Sequence, residues 1–293
     1  MPTSFRFTRK SAQFPQRLLE LRPWPGEVFC HGSWSDTGPA VSIVGARAAS
    51  REGMQNAHDL AQGLAKANVR VISGGALGID GAAHRGALAG GGFTAAIMAC
   101  GLEQYYPKRH TSLFEAMLEH GGAILSPFQP GYPPLRANFV RRNSLIAVLA
   151  DIVVVVEAST RSGSLHTARF ASRYGRKLLC FEGSSGCAAL VARGVEKVAG
   201  AADVITILQG GVIDRHEALP ELSPAAQTLM ALLSPDTPLD ASSLGHTLKL
   251  PVRQIHRLVV ELSLESLAIA LPGQRYIRSP LGQEYLERCL EEG

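Results

Sequence analysis

The sequence predicts an α/β fold, with a doubly wound and mostly parallel sheet followed by a small C-terminal domain. Short runs of β-branched and other apolar residues recur between residues 40 and 183. Each run is apolar throughout rather than alternating, as expected of strands that are covered on both faces. Longer alanine-rich stretches separate the runs, and strand–helix alternation at this spacing is typical of a parallel sheet.

Six strands are predicted in the main domain, which we place at residues 40–209. They are AVSIVG (40–45), VRVIS (69–73), TAAIMAC (94–100), GAILS (122–126), DIVVVVEA (151–158) and KLLCFEG (177–183). Helices are predicted between them at 53–68, 111–121 and 162–175. Residues 1–39 are rich in Pro, Trp and Phe and lack clear periodicity, so we expect an irregular N-terminal segment that packs on the sheet.

The pattern changes after residue 209. Residues 210–222 have the Gly, Pro and charge content of a linker. Three helical stretches and a hairpin follow within residues 223–293, an order typical of a winged helix-turn-helix. The third helix carries an apolar stripe, and its predicted outward face presents Arg253, Gln254 and Arg257.

Such a face reads the DNA major groove in many proteins, but many winged helices bind proteins instead. Glu261 and Glu265 weaken the basic character of the third helix. The sequence therefore leaves open whether this domain binds DNA or a protein.

Composition is that of a protein with a sizeable core, since 46% of residues are hydrophobic and 18% are charged. The longest apolar run, LIAVLADIVVVVEA, is broken by Asp151 and is shorter than a membrane span. The N-terminus lacks the apolar stretch of a signal peptide. The five cysteines are scattered without metal-ligand spacing. We expect a soluble cytoplasmic protein with reduced thiols, no metal and no membrane segment.

Glycine-rich or polar turns follow three of the predicted strands. They are GARAAS (45–50), SGGALGIDGAAH (73–84) and EASTRSGSLHTA (157–168). In an open α/β sheet the carboxyl ends of the strands line one crevice, where helix N-termini favour anions. Three turns at one crevice predict a phosphate site, in which Gly74 and Gly75 admit the anion and Ser73 donates to it. The structural alternative is that Ser162 or Ser164 only caps a helix.

The segment NFVRRNSLIA (138–147) contains Phe139, Arg141, Arg142 and Asn143. From Arg136 to Lys177 the chain has eight basic and two acidic residues. Arginines for phosphates beside a ring on which a base stacks are typical of single-stranded nucleic-acid binding. The alternative is that Phe139 belongs to the core and the arginines are solvated surface residues.

No catalytic motif or metal-ligand cluster is recognisable, so we assign no catalytic residue, metal or cofactor. Asp80 and His84 lie one helical turn apart, a spacing that is compatible with a catalytic acid–base pair. We interpret them instead as local hydrogen-bonding partners that fix the glycine-rich turn.

Taken in order, several segments resemble the DNA-processing protein A (DprA/Smf) family from about Phe14 to Leu208. They are GAR, SGGALGID with AAH, ACGLEQYYP, LSPFQPG, NFVRRNSLIA, VVVEASTRSGSLHTA and GRKLLCFEG. The resemblance implies an extended Rossmann-like domain that binds and protects single-stranded DNA without being an enzyme. It also implies loading of the recombinase RecA during natural transformation, and a homodimer.

The same resemblance implies which residues bind. Its phosphate pocket corresponds to Arg47, Ser73, Gly74 and Gly75, its strand-binding segment to Phe139, Arg141, Arg142 and Asn143, and its second turn to Ser162, Gly163 and Thr167. The chain departs from the family where Ser144 replaces a usual arginine. Two other functions stay open: a regulator or antitoxin in a mobile-element or phage-defence system, and a small-nucleotide enzyme or sensor on the same fold.

Overall fold

The structure is a computed structural model, and it describes residues 4–21, 25–213 and 222–291. The chain divides into two compact units, and the division falls after Ile213. That position lies inside the predicted linker 210–222, of which residues 214–221 are outside the described residues.

The first unit contains nine strands and seven α-helices among its described residues. The strands are β1 (Ser4–Thr8), β2 (Glu27–Gly32), β3 (Ala40–Val44), β4 (Arg70–Ser73), β5 (Thr94–Ile97), β6 (Ala123–Ser126), β7 (Ile152–Val155), β8 (Lys177–Cys180) and β9 (Glu196–Lys197). The helices are α1 (Arg51–Lys66), α2 (Ile79–Ala89), α3 (Thr111–Glu119), α4 (Arg136–Val148), α5 (Ser164–Arg173), α6 (Ser185–Val191) and α7 (Ala201–Leu208). Short 3-10 turns occupy Gln16–Glu20 and Lys108–His110.

All nine strands form one sheet in the order β1-β2-β6-β5-β4-β3-β7-β8-β9. The strands from β3 to β9 pair in parallel, whereas β2 joins β6 and β1 joins β2 in antiparallel pairs. From β3 the chain winds outward through β4, β5 and β6, and then returns to place β7 on the other side of β3. The sheet therefore has its topological switch point between β3 and β7, where open α/β sheets bind ligands.

Side chains alternate between the two faces of the sheet along each strand, and both faces are apolar. Helices therefore cover both faces. In β3, Val41 and Ile43 pack towards α1 and α2, whereas Ala40 and Val44 pack towards α4 and α5. All five β3 residues are buried. The predicted doubly wound, mostly parallel fold is confirmed.

The N-terminal segment differs from the prediction. Residues 1–39 were expected to be irregular, but β1 and β2 extend the sheet beyond β6 as an antiparallel edge. Both strands are only partly buried, and Pro and Trp residues lie between them, so no continuous apolar run marks them in the sequence.

The second unit has its own core. Its elements are α8 (Pro224–Leu232), β10 (Leu239–Asp240), α9 (Ala241–Leu248), α10 (Val252–Leu264), β11 (Ala268–Leu271), β12 (Arg275–Arg278) and α11 (Pro280–Glu291). The three predicted helices and the hairpin are present, and β10 adds a third strand beside β12. Leu229, Leu244 and Ile255 bring α8, α9 and α10 together in this core.

Among the described residues, the helices are too short or too polar to cross a lipid bilayer. The same residues contain no group of three or more His, Cys, Asp or Glu side chains placed to hold a metal ion.

Candidate functional site

A cleft of about 470 Å³ opens at the switch point of the sheet. One wall is the turn after β3, with Gly45, Ala46 and Arg47, and the other is the turn after β7, with Ser162 and Gly163. Helix α4 closes the cleft from a third side. The cleft volume is within the range of small-molecule sites, about 300–1,000 Å³.

Arg47 and Phe139 form the mouth of this cleft. Arg47 is exposed, and its guanidinium carbon lies 4.7 Å from the centre of the Phe139 ring. Phe139 is half-buried on the first turn of α4, and Tyr106 meets it edge-to-face at 5.9 Å between ring centres. A cationic group over an aromatic face is held by the ring quadrupole, so Arg47 presents its charge at a fixed place.

Arg142 lies under the cleft rather than at its surface, because it is only 4% exposed. Its Nη1 donates to the carbonyl oxygens of Gly74 and Ile97, each at 2.5 Å, and its Nε is buried without a partner. Burial lowers the pKa of Arg142 to about 10, while the Asp80 carboxylate acts in the opposite direction. The group therefore remains a cation at neutral pH.

Asp80 is the acidic partner of this buried arginine. Burial raises the pKa of Asp80, and the nearby Arg142 guanidinium opposes that shift. Asp80 also accepts a hydrogen bond from the Ala76 backbone at 3.3 Å, which fixes the turn before α2. This agrees with the interpretation of Asp80 as a residue that holds the loop.

His84 has a different partner from the one expected. Its Nδ1 lies 2.7 Å from Thr94 Oγ1, which itself donates to the Val71 carbonyl, so Nδ1 carries the proton. Burial lowers the pKa of His84 to about 3. Asp80 and His84 thus serve separate packing roles.

The wall after β7 is built by the start of α5. Ser162 Oγ and Ser164 Oγ are 2.7 Å apart, and Asn143 Nδ2 donates to the Gly163 carbonyl at 3.2 Å. Thr167 is buried one turn further along and also lines the cleft. A helix N-terminus carries a partial positive charge, so this wall favours an anion.

The start of α1 already holds an anion of the protein. The Glu157 carboxylate accepts hydrogen bonds from the Ser50 backbone at 3.1 Å and from Ser50 Oγ at 2.6 Å. Ser50 Oγ in turn accepts from Gly53 N at the helix N-terminus. The expected anion site at this helix is therefore occupied by Glu157.

The glycine-rich turn after β4 corrects one predicted contact, that of Ser73. Ser73 is fully buried and donates its hydroxyl to the Ile43 carbonyl at 2.6 Å, so it is not available to a ligand. A side chain at Gly74 would collide with Arg142 and Asp80, and one at Gly75 would collide with Phe114, so both glycines make room for the protein's own side chains. Gly74 also lines a small cavity beside Arg47 and Phe139, and contact of the two glycines with an anion stays a prediction.

The remaining eight residues predicted to bind DNA in the first unit fall into two groups, those that line the cleft and one that does not. Seven line the cleft: Arg47, Phe139, Arg142, Asn143, Ser162, Gly163 and Thr167. Arg141 is exposed on α4 and lies outside the cleft lining. Sequence reasoning missed Val140, Glu157, Ser164 and His166 as lining residues, although all four stand inside or beside the quoted motifs.

A second cleft of about 360 Å³ lies beside the first. Glu157 lines both, and the second also contains Glu52 and Glu182, with small residues such as Gly183 and Ser184. The two clefts share one edge of the sheet but differ in charge.

In the second unit, Arg253, Gln254 and Arg257 are exposed on α10, as predicted. The Glu261 carboxylate is engaged within the unit: it accepts hydrogen bonds from the backbone N–H and the hydroxyl of Ser223 at the start of α8. Val252, the first residue of α10, is 39% exposed, whereas Ile255 and Leu262 of the apolar stripe are fully buried.

A family model described as "DNA recombination-mediator protein A" matches residues 6–209. The chain belongs to this family. Protein Smf from Escherichia coli is 35% identical over 286 residues, which cover 90% of this chain and 75% of Smf. The predicted membership of the DprA/Smf family is confirmed.

Other relatives agree with this assignment. The putative DNA processing protein DprA of Mycobacterium tuberculosis is 43% identical over 57% of this chain, and the match spans 44% of that relative. The solved structure of DNA processing protein A from Helicobacter pylori superimposes with a TM-score of 0.65 at 27% identity, covering 72% of this chain and 99% of that one. It is described for the single-stranded DNA binding mode of that protein.

Proposed function

We propose that this protein is a single-stranded DNA-binding protein of the DprA type, which holds the strand at the cleft between β3 and β7. One observation carries the proposal: at the switch point, the Arg47 guanidinium stands over the Phe139 ring, 4.7 Å from its centre. A cation for a phosphate and an aromatic ring thus lie in contact at the cleft mouth, a combination typical of single-strand binding.

The cleft chemistry supports a phosphate at its centre. Arg47 supplies an exposed charge, Arg142 supplies a buried one beneath, and the start of α5 supplies a partial positive charge opposite. The two carboxylates in the lining each face a positive partner: Asp80 is near Arg142, and Glu157 lies at the N-terminus of α1. The side chains left to meet a ligand are therefore mainly cationic or neutral.

Family membership supports a proposal for the biological role. We propose that the protein protects single-stranded DNA, assists loading of RecA in recombination and DNA uptake, acts in the cytoplasm as a homodimer and performs no catalytic step. The Helicobacter pylori neighbour, described for its single-stranded DNA binding mode, supports the DNA-binding part of this role.

A small nucleotide is the second candidate ligand, because the cleft volume of about 470 Å³ matches small-molecule sites. A mononucleotide that binds more tightly than any oligonucleotide would favour this reading.

A salt titration with a fluorescently labelled thymidine oligonucleotide tests the proposal. Binding at low salt should weaken steeply as salt rises, because each phosphate contact releases a counterion. Arg47→Ala should lower the affinity and reduce the slope of log K against log salt by about 1. The matched control is Arg193→Ala, an exposed arginine outside the cleft. Absence of oligonucleotide binding at low salt would overturn the proposal.

A further inference from the structure

Four large apolar side chains are exposed on the chain segments that flank the cleft, and together we call them the apolar shelf: Tyr106, Tyr132, Leu135 and Val140. Each is between 40% and 50% exposed. Scattered exposed apolar residues are ordinary, but a group of them beside a binding cleft indicates an interaction site.

The shelf is continuous with the mouth of the cleft. Val140 itself lines the cleft, and the Tyr106 ring packs edge-to-face on Phe139. A small cavity of about 60 Å³ lies between Arg47, Tyr106 and Phe139. A strand that leaves the cleft past Phe139 therefore meets Tyr106 or Val140 first, and Tyr132 and Leu135 lie on the segment that leads into α4, which Asn138 holds through the Pro133 carbonyl.

The shelf is held firmly by the two chain segments that form it. Buried Asn138 donates from Nδ2 to the Ala99 carbonyl at 3.1 Å and to the Pro133 carbonyl at 3.3 Å. Gly101 N donates to the Tyr132 carbonyl at 2.8 Å, and the Tyr132 ring stacks on Phe128 at 5.4 Å. Its exposed rings are thus fixed in place before any ligand arrives, which lowers the entropy cost of binding.

Charge around the shelf is mainly positive. Arg136 and Arg141 are exposed on α4 beside Leu135 and Val140, and Arg47 stands at the cleft end. Glu103, whose carboxylate approaches Gly131, places one acidic group near Tyr132. Fixed rings interleaved with arginines suit unpaired bases on a phosphate backbone.

We propose that the apolar shelf is a second subsite, on which bases of the same single strand stack after leaving the cleft. This inference rests on the proposed function and extends it, because it makes affinity depend on strand length. Paired bases do not expose their faces, so the shelf selects single strands over duplex.

The test compares thymidine oligonucleotides of about 4 and about 12 nucleotides, lengths typical of short and long single-strand sites. Tyr132→Ala with Leu135→Ala should weaken binding of the longer strand at least about fivefold. Binding of the shorter strand should be unchanged, and the salt slope should be unchanged for both, because no phosphate contact is lost. Tyr132→Phe should behave as the unmodified protein, since it retains the ring.

The matched control is Phe5→Ala, which removes a ring of the same 43% exposure from β1, at the edge of the sheet. Equal length dependence in the unmodified protein and the Tyr132/Leu135 variant, or an equal loss in the Phe5 control, would overturn the inference. If the unmodified protein binds neither oligonucleotide, the proposed function itself fails, and the inference fails with it.

A second measurement does not depend on truncating the shelf. In Tyr132→Trp the indole replaces the phenol ring and reports on stacking by its fluorescence. The longer strand should quench this fluorescence and the shorter strand should not. Unchanged fluorescence when the longer strand is bound would contradict the proposal.

Discussion

The two clefts at the edge of the sheet have similar origins and opposite character. Both lie at carboxyl ends of parallel strands, both border Glu157, and their volumes are about 470 and 360 Å³. The first contains Arg47 and Arg142, whereas the second contains Glu52 and Glu182. The side-chain charges of the first favour a phosphate, and those of the second disfavour it.

This difference shows that a strand end and a helix N-terminus do not by themselves make an anion site. Helix α1 starts beside both clefts, but the Glu157 carboxylate already accepts the hydrogen bonds of Ser50 there. Cationic side chains decide which cleft an anion enters. Glu157 thus separates the two regions electrostatically.

The largest expected effect comes from removing the buried charge under the first cleft. Arg142→Met should lower the free energy of unfolding by about 3–5 kcal/mol, because Asp80 and two carbonyl oxygens would lose a buried partner. Urea unfolding measures the change. Arg141→Ala, at the adjacent exposed position, should stay within about 0.5 kcal/mol of the unmodified protein.

A double variant tests the cause of that loss. Asp80→Asn combined with Arg142→Met removes both charges, and it should be more stable than Arg142→Met alone. If the double variant is equally unstable, packing rather than charge accounts for the role of Arg142.

The first unit should also respond to pH through His84, which is buried between α2 and the start of β5. Its pKa is about 3 when folded and 6.5 ordinarily, so the unfolded chain binds the extra proton between these values. The stabilising contribution is complete above pH 6.5 and is lost as pH falls towards 3, by about 1.4 kcal/mol per pH unit.

Unfolding measured at about pH 6.5 and pH 5 should therefore show a loss of about 2 kcal/mol from this group. His84→Gln should show a shallower pH dependence, because its amide does not titrate. Asp80 has a raised pKa, so its contribution to stability changes with pH in the opposite direction. Asp80 is present in both proteins, and its contribution therefore cancels when their pH dependences are compared. Equal slopes in both proteins would contradict the assignment.

A smaller effect is expected at the boundary between the clefts. Glu157→Gln removes a negative charge from the first cleft and should raise oligonucleotide affinity at low salt by about threefold, less than 1 kcal/mol. Glu52→Gln, which alters only the second cleft, should raise it less. Equal gains would mean that the two clefts are not electrically distinct.

The smallest effect should come from the second unit. Replacing Arg253 and Arg257 by Ala should leave the affinity for a short oligonucleotide within about twofold, because α10 belongs to a separate compact unit. Fluorescence anisotropy with a short thymidine strand measures this. A loss as large as that of Arg47→Ala would show that α10 takes part in holding the strand.

Much of the framework was predictable, since continuous apolar runs specify buried parallel strands and give the positions of β3 to β8. The contacts of the site residues were harder to predict. Ser73 and Arg142 have the chemistry of anion ligands, and only the fold shows that β3 and β5 carbonyl oxygens occupy them. The Glu157 contact was equally hidden, because it joins residues 107 positions apart in the sequence.

In the proposed complex, a single strand of DNA lies in the first cleft against Phe139. Photocrosslinking with an oligonucleotide carrying 5-iodouracil, followed by mass spectrometry of the crosslinked peptide, detects this contact. We expect a crosslink in the α4 peptide that contains Phe139. A crosslink confined to the second unit, or to the residues around Glu52 and Glu182, would contradict it.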